Sequence, residues 1–355
     1  KDGKGHCSLA KTNKKTNLKN KSCVSGADID KDGDVDLFIG GLADAKKYGI
    51  AQSSYLLIND GKGNFASAGN NIIRMDSIGI TTSGAFADIN NDGWPDLIIT
   101  GEWMPVIIFI NEKGHFKESD IATSTGLWQS LYITDVNGDG FADILAGNWG
   151  HNNKFFAGKN GPLKLYLKDF DNNGSMEQVV AYTINGEEYT FLCKDELERS
   201  LPVLKKAYLT YSEVAGKTVQ YMFYDLFAGS KELKAETLSS SCFINNGKGG
   251  FTRIDLPDEL QLSPLFSFAD FNAGDKKMFL GAGNFYGVIP YEGRYDAMLA
   301  TAFSFNKASG KFDVTGSIPG AQGEVRDIKW VKGKPGESMM IVSRNNDRLL
   351  YYKVK

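Results

Sequence analysis

Cysteine, proline and histidine are all scarce in this chain of 355 residues, at 4, 9 and 3 copies. So few cysteines, none in a CxxC spacing, exclude a disulfide-stapled small fold and a thiolate metal site. Buried thiols are the expectation, and Cys7 with Cys23 is the one pair whose separation suits neighbouring strands. The histidines His6, His115 and His151 are far apart, and no GxSxG, HExxH or phosphate-cradling glycine loop occurs. A run of eighteen apolar residues is missing, which excludes a membrane-spanning helix. The opening KDGKGHCSLAKTNKK also lacks the apolar core of a signal peptide. With a formal net charge of -3 there is no basic footprint for nucleic acid. What remains, Gly 40 beside 12% aromatic and 23% charged residues, describes a turn-rich β protein.

What the chain does hold is a repeated acidic stretch. DIDKDGDVDLFIGG begins at Asp28, DINNDGWPDLIITG at Asp88, DVNGDGFADILAG at Asp135 and DFDNNGSMEQVVA at Asp169. In each, oxygen-bearing side chains occupy positions 1, 3, 5 and 9 of a nine-residue loop and glycine occupies position 6. Ca2+ takes six to eight oxygens at about 2.3–2.6 Å, and alternate residues of a tight turn can converge on one such ion. The spacing therefore predicts four calcium loops. The first offers Asp28, Asp30, Asp32 and Asp36 with the Asp34 carbonyl, the second Asp88, Asn90, Asp92 and Asp96 with the Trp94 carbonyl. The third offers Asp135, Asn137, Asp139 and Asp143 with the Phe141 carbonyl, the fourth Asp169, Asp171, Asn173 and Glu177 with the Ser175 carbonyl. An EF-hand needs a Glu at position 12, where this chain has Ile39, Ile99, Ala146 and Val180. Those residues sit in short, β-branched, glycine-ended runs that read as strands. Because each loop fills its own ligand set from one segment, the calcium is expected to be structural.

Hairpin turns recur as well, in DGKGNFASA from Asp60, NEKGHFKES from Asn111 and NGKGGFTRI from Asn246. Strand, acidic loop, strand, strand, turn and strand make a repeat of four short antiparallel strands, the pattern of a propeller blade. The prediction is an all-β chain, a single β-propeller over 1–355 with six to seven four-stranded blades. Copies start near 83, 131 and 163 after the first, the third being compressed. The fourth is interrupted over 194–228, where Leu197, Leu201, Leu204, Tyr208 and Tyr211 recur at helical spacing and predict two short helices packed on the blade's rim. Two later copies are degenerate: FADFNAGDKKMFLGAGN has Gly274 and Met278 at positions 5 and 9, and the copy at Arg326 keeps only Asp327. Both are expected to be metal-free. LLYYKVK ends on a third strand, and DGKGHCSLA, which begins mid-repeat, is suited to supply the fourth and cover the free edge.

The acidic loops resemble FG-GAP or VCBS repeats, the units of the integrin alpha-subunit propeller. With SYLLINDGKGNF, GEWMP, GNWGHNN, LPVLKKAY and AGNFYGVIPYEGRYDA, the chain resembles the C-terminal propeller of bacterial surface proteins that pair VCBS repeats with an ASPIC and UnbV module. No such module is present in these residues. The resemblance implies a further blade upstream, export to the cell surface, and a binding role beside a surface or outer-membrane protein such as a transporter.

Acidic loops join first to second strands, so the loops joining second to third strands lie on the other face. That set carries Glu102, Trp103, Trp149, His151, Asn284, Tyr286, Tyr291, Arg294, Tyr295 and Arg344, which predict a funnel for a protein loop or a glycan. An enzyme is not expected. The alternative is a glycan-binding or polysaccharide lyase-like propeller using Tyr295, Arg294 and His151.

Overall fold

The computed structural model describes residues 19–75, 78–155, 161–288, 293–332 and 338–353. His6, Cys7, the opening hairpin segment and Tyr291 lie outside them. The chain is mostly β, arranged as a series of antiparallel sheets that is propeller-like. The first sheet contains β1 (Lys21–Ala27) and β2 (Asp36–Gly41). A hairpin of β3 (Ala43–Asp44) and β4 (Lys47–Ala51) then leads to β5 (Tyr55–Asn59) and β6 (Phe65–Ser67), giving the order β1-β2-β5-β6. The second sheet runs β7 (Ile80–Ala87), β8 (Asp96–Met104), β9 (Ile107–Asn111) and β10 (Phe116–Asp120), with the short β11 (Gly126–Leu127) also on β8.

The third sheet departs from the expected order. Its first strands, β12 (Ser130–Thr134) and β13 (Asp143–Gly147), are completed only by β18 (Ser241–Asn245) and β19 (Phe251–Asp255). Between them stands a separate sheet of β14 (Leu163–Lys168), β15 (Glu177–Ile184), β16 (Glu187–Thr190) and β17 (Lys231–Ala235), in the order β16-β15-β14-β17. The segment expected to be a fourth blade is therefore an insertion inside the third sheet, and its strand order is not that of a blade. Nested in turn between β16 and β17 are four short helices, α1 (Lys194–Ser200), α2 (Pro202–Ala207), α3 (Tyr211–Val214) and α4 (Val219–Phe223), rather than two. Leu197, Leu201 and Leu204 of that stretch are buried against Tyr166, Phe170 and Val179 of the inserted sheet, as their spacing predicted.

Two further meanders follow: β20 (Leu265–Ala273), β21 (Lys276–Gly283), β22 (Thr301–Asn306) and β23 (Lys311–Ser317), then β24 (Val325–Lys332), β25 (Ser338–Arg344) and β26 (Leu350–Lys353). The degenerate acidic copy at Asp270 is no loop at all; Ala273 pairs with Lys276 across a tight turn.

The cores lie between successive sheets, and this explains why the second strands are apolar without alternation. In β8, Leu97 and Ile99 join Phe38 and Leu56 of the first sheet, while Ile98 joins Trp128, Ile144 and Phe243 of the third. Successive strand residues point to opposite faces, so a strand covered on both sides must be apolar throughout. Each fully buried side chain of this size contributes about 1.5–3 kcal/mol. The first strands β1, β7, β12, β20 and β24 line one cavity of about 410 Å³, walled by Ser22, Thr82, Gln129, Tyr132, Phe266 and Arg326 among others. Cys23, Cys193 and Cys242 are free thiols.

Candidate metal loops and the opposite face

All four acidic loops fold alike, and their own sequence explains how. The carboxylate at position 1 accepts the N–H of the glycine at position 6, in Asp28 with Gly33 (3.0 Å), Asp88 with Gly93 (2.7 Å), Asp135 with Gly140 (2.9 Å) and Asp169 with Gly174 (2.8 Å). That glycine has φ between 84° and 97° in every copy, a conformation that side chains resist. The position 5 side chain accepts the N–H at position 7: Asp34 to Asp32, Trp94 to Asp92, Phe141 to Asp139 and Ser175 to Asn173, at 2.7–2.9 Å.

Do these oxygens suit a cation? Carboxylate oxygens of Asp28, Asp30 and Asp36 lie within 4.8 Å of one another, as do those of Asp169, Asp171 and Glu177. Two ligands across a calcium ion stand up to about twice the ~2.4 Å bond length apart, so this spread fits one ion. Asp28 Oδ1 is buried without a hydrogen-bond partner. A buried, unpaired carboxylate oxygen is costly, and a cation would satisfy it. Burial also pushes the Asp96 carboxyl up to about 6, against the pull of the Asn111 and Ile89 N–H groups, and raises Asp36 and Asp143 in the same direction. Divalent charge would offset that desolvation. The residues present fit calcium.

The position 9 carboxylates reveal residues that the sequence reading passed over. Asp36, Asp96 and Asp143 each accept the backbone N–H of an asparagine ending the third strand: Asn59 (2.8 Å), Asn111 (2.7 Å) and Asn245 (2.8 Å). The Nδ2 of that asparagine donates to the carbonyl before the position 9 residue, Val35, Pro95 or Ala142. A signal was available, because LIND, FINE and FINN place asparagine at the same point before each hairpin turn. Glu177 takes the Phe170 N–H but has no such asparagine among the described residues.

The opposite face is partly covered. The inserted sheet packs on it, with β17 against β8, β15 against β4, and Leu167 beneath Gly49. Trp103 is buried there, its indole N–H donating to the Tyr48 hydroxyl at 2.9 Å. Tyr48 in turn donates to Glu102, which also accepts from Gln129. Asn284 is buried, bonded to the backbone of Met298 and Gly323. Arg344 is committed to the Gln322 and Arg348 carbonyls and to Asp347. Trp149 and Tyr295 do meet, edge-on with ring centres 5.4 Å apart, in a cluster with Phe155 and Phe285. His151 Nε2 lies 2.7 Å from the Ser239 hydroxyl, and the Arg294 guanidinium stands 5.1 Å over the Tyr286 ring. Trp103 and Asn284 are thus buried rather than displayed, whereas Trp149, Tyr295, Arg294 and Tyr286 lie near one another through the pairing of Phe285 with Tyr295. Their sequence positions report which loop they occupy, not what packs over it.

The FG-GAP-like repeat model matches residues 28–99 and 88–146, which span the first three acidic loops. The chain thus carries FG-GAP-like repeats. No curated protein matches it. Among solved structures, an Agrocybe aegerita lectin described for specific recognition of non-reducing terminal N-acetylglucosamine aligns over 69% of this chain and 68% of its own. It is 18% identical with a TM-score of 0.27, a likeness too low to carry argument. Among the described residues no helix is long and apolar enough to cross a membrane.

Proposed function

We propose that this chain is a non-catalytic binding scaffold, braced by calcium in its acidic loops and displayed at the cell surface, where it engages an envelope protein as an accessory subunit. The observation that carries the reading is the loop geometry: four copies of one hydrogen-bonded turn, two with three carboxylates converging within 4.8 Å. Asp28, Asp30, Asp32 and Asp36, with their counterparts in the other loops, would hold the ions. Bound calcium supplies positive charge that ties each loop to its strands, and the protein's residues orient it.

The surface for a partner shifts from the funnel to the inserted helices. Leu209, Tyr211, Tyr221 and Tyr224 are 79%, 54%, 56% and 79% exposed within one short stretch. Tyr224 also holds φ at 41°, a backbone conformation that non-glycine residues rarely adopt. Exposed tyrosines of this kind are the residue type that dominates protein interfaces. A saccharide is the second reading, favoured by an adjacent cleft of about 350 Å³ lined by Tyr182, Tyr189, Phe191, Tyr211 and Lys217.

The test is capture from native envelopes in millimolar calcium, comparing the parent with a Tyr221→Ala, Tyr224→Ala variant whose circular dichroism is unchanged. A stoichiometric envelope protein lost by the variant supports the proposal. Equal capture by both removes the helices as the docking surface. Glycan-array binding with no protein partner moves the assignment to the cleft.

A further inference from the structure

The position 9 carboxylates of the first three loops are joined by one unbroken series of hydrogen bonds. The Ile29 N–H donates to Asp36 Oδ2 at 3.1 Å, and the Ile29 carbonyl accepts from Asn111 Nδ2 at 2.8 Å. The Asn111 N–H donates to Asp96 Oδ1 at 2.7 Å, and the other oxygen, Asp96 Oδ2, accepts from the Ile89 N–H at 2.9 Å. The Ile89 carbonyl accepts from Asn245 Nδ2 at 2.7 Å, and the Asn245 N–H donates to Asp143 Oδ1 at 2.8 Å. Asp36, Ile29, Asn111, Asp96, Ile89, Asn245 and Asp143 are all buried. On the solvent side the same loops touch again: Lys31 Nζ sits 4.3 Å over the Trp94 ring, and Asn91 Nδ2 donates to the Gly140 carbonyl at 3.1 Å.

We propose that the first three loops take up their cations as a coupled series, with Asn111 and Asn245 as the positioning residues that transmit occupancy from one loop to the next, while the fourth loop binds independently. The inference rests on the calcium reading above. When an ion enters the second loop it draws on Asp96, whose two oxygens are held by Ile89 and Asn111. Both are clamped to a neighbouring loop. In a close-packed interior such a displacement is passed on rather than absorbed. Asn59 also holds its own carboxylate, but among the described residues its Nδ2 reaches only Val35 of the same loop, which makes the first loop one end of the described series.

Trp94 makes the second loop separately readable, because indole excitation sensitises bound Tb3+. The experiment titrates Tb3+ into the full chain and follows emission excited through tryptophan, with Trp94→Phe identifying the second-loop signal. Removing a ligand from the first loop with Asp32→Ala should weaken the second-loop site by about fivefold or more, the lower end of ordinary coupling between sites. Asp171→Ala in the fourth loop should leave it within about twofold. In an Asn111→Ala background the Asp32→Ala effect should vanish, which a merely structural asparagine would not cause. Should Asn111→Ala not fold, Asn245→Ala with Asp139→Ala tests the link to the third loop in the same way. An unchanged second-loop affinity in Asp32→Ala, or an equal loss in Asp171→Ala, overturns the coupling and leaves calcium binding intact. Absence of any Trp94-dependent emission in the parent overturns the calcium reading itself.

Discussion

The acidic loop at Asp88 and the acidic loop at Asp169 have the same internal hydrogen bonds, yet they sit in different sheets. Around Asp88 the loop joins the first two strands of a meander, and a third-strand asparagine clasps its last carboxylate. Around Asp169 it joins β14 to β15 in a sheet ordered β16-β15-β14-β17, with no asparagine at Glu177 among the described residues. The loop is a portable unit because its shape is set within nine residues. The blade is not portable, since it depends on partners far away in the chain. The turn at Gly274 completes the comparison. There the loop has shrunk to a hairpin, and Lys277 places its ammonium 3.4 Å from Asp270 while donating to the Asp135 carbonyl. A tethered cation stands where the intact copies gather carboxylates.

The comparison can be broken in three places. The largest effect is expected at the clasp. Asn245→Ala removes donors to Ile89 and Ala142 and an acceptor for the Gly247 N–H, all buried or half-buried. It should destabilise the chain by roughly 3 kcal/mol in urea unfolding, since buried partners are left unpaired. Asn59→Ala, which breaks only one side-chain bond and whose Oδ1 is already unpartnered, should cost about 1 kcal/mol. Equal losses would mean that the link between loops adds nothing. The next effect belongs to the ions. Calcium at a hundred times its dissociation constant adds about 2.7 kcal/mol per site. Asp32→Ala should therefore lower the thermal midpoint chiefly in calcium, with only the smaller loss of its hydrogen bond to the Asp34 N–H in chelator, whereas Asp171→Ala should lose protection chiefly in β14 and β15 by hydrogen exchange. Global loss in both variants would erase the distinction between the contexts. The smallest is Lys277→Met, a partly exposed ion pair plus bonds to the Thr134 hydroxyl and the Asp135 carbonyl, expected at about 1 kcal/mol and equal with and without calcium. A calcium-dependent loss would show that Lys277 acts on the Asp135 loop rather than in place of an ion.

The acidic loops were legible in the sequence because their ligands, turn glycines and following strands are all local. The two-sided burial of β8 was legible in its unbroken apolar run. The nesting was hidden because Leu163–Lys168 followed by an acidic loop looks like the start of a blade, and the pairing of Ile144 with Phe243 spans 99 residues that no local pattern marks. One clue pointed to it: the Ile-Asn followed by a Lys-Gly turn that closes the first two sheets, INDGKG and INEKG, does not recur after Gly147 until INNGKG at Ile244. The burial of two side chains on the opposite face was hidden for a related reason. Trp103 and Asn284 were read as displayed because they follow second strands, whereas tertiary packing decides whether such a loop faces water.

The nested insertion also sets an order of assembly. As the chain leaves the ribosome, β12 and β13 wait as a two-stranded hairpin until β18 has been made, and a lone hairpin is marginal in water. The cost of closing a long flexible loop grows with its length, but an insert that has already folded with its ends together presents a short one. Asn148 and Ser240, the residues at the two ends, are hydrogen-bonded at 2.9 Å. The inserted sheet has its own core around Tyr166, Val179 and Leu201, and its two ends emerge side by side at the edge that the returning strand joins.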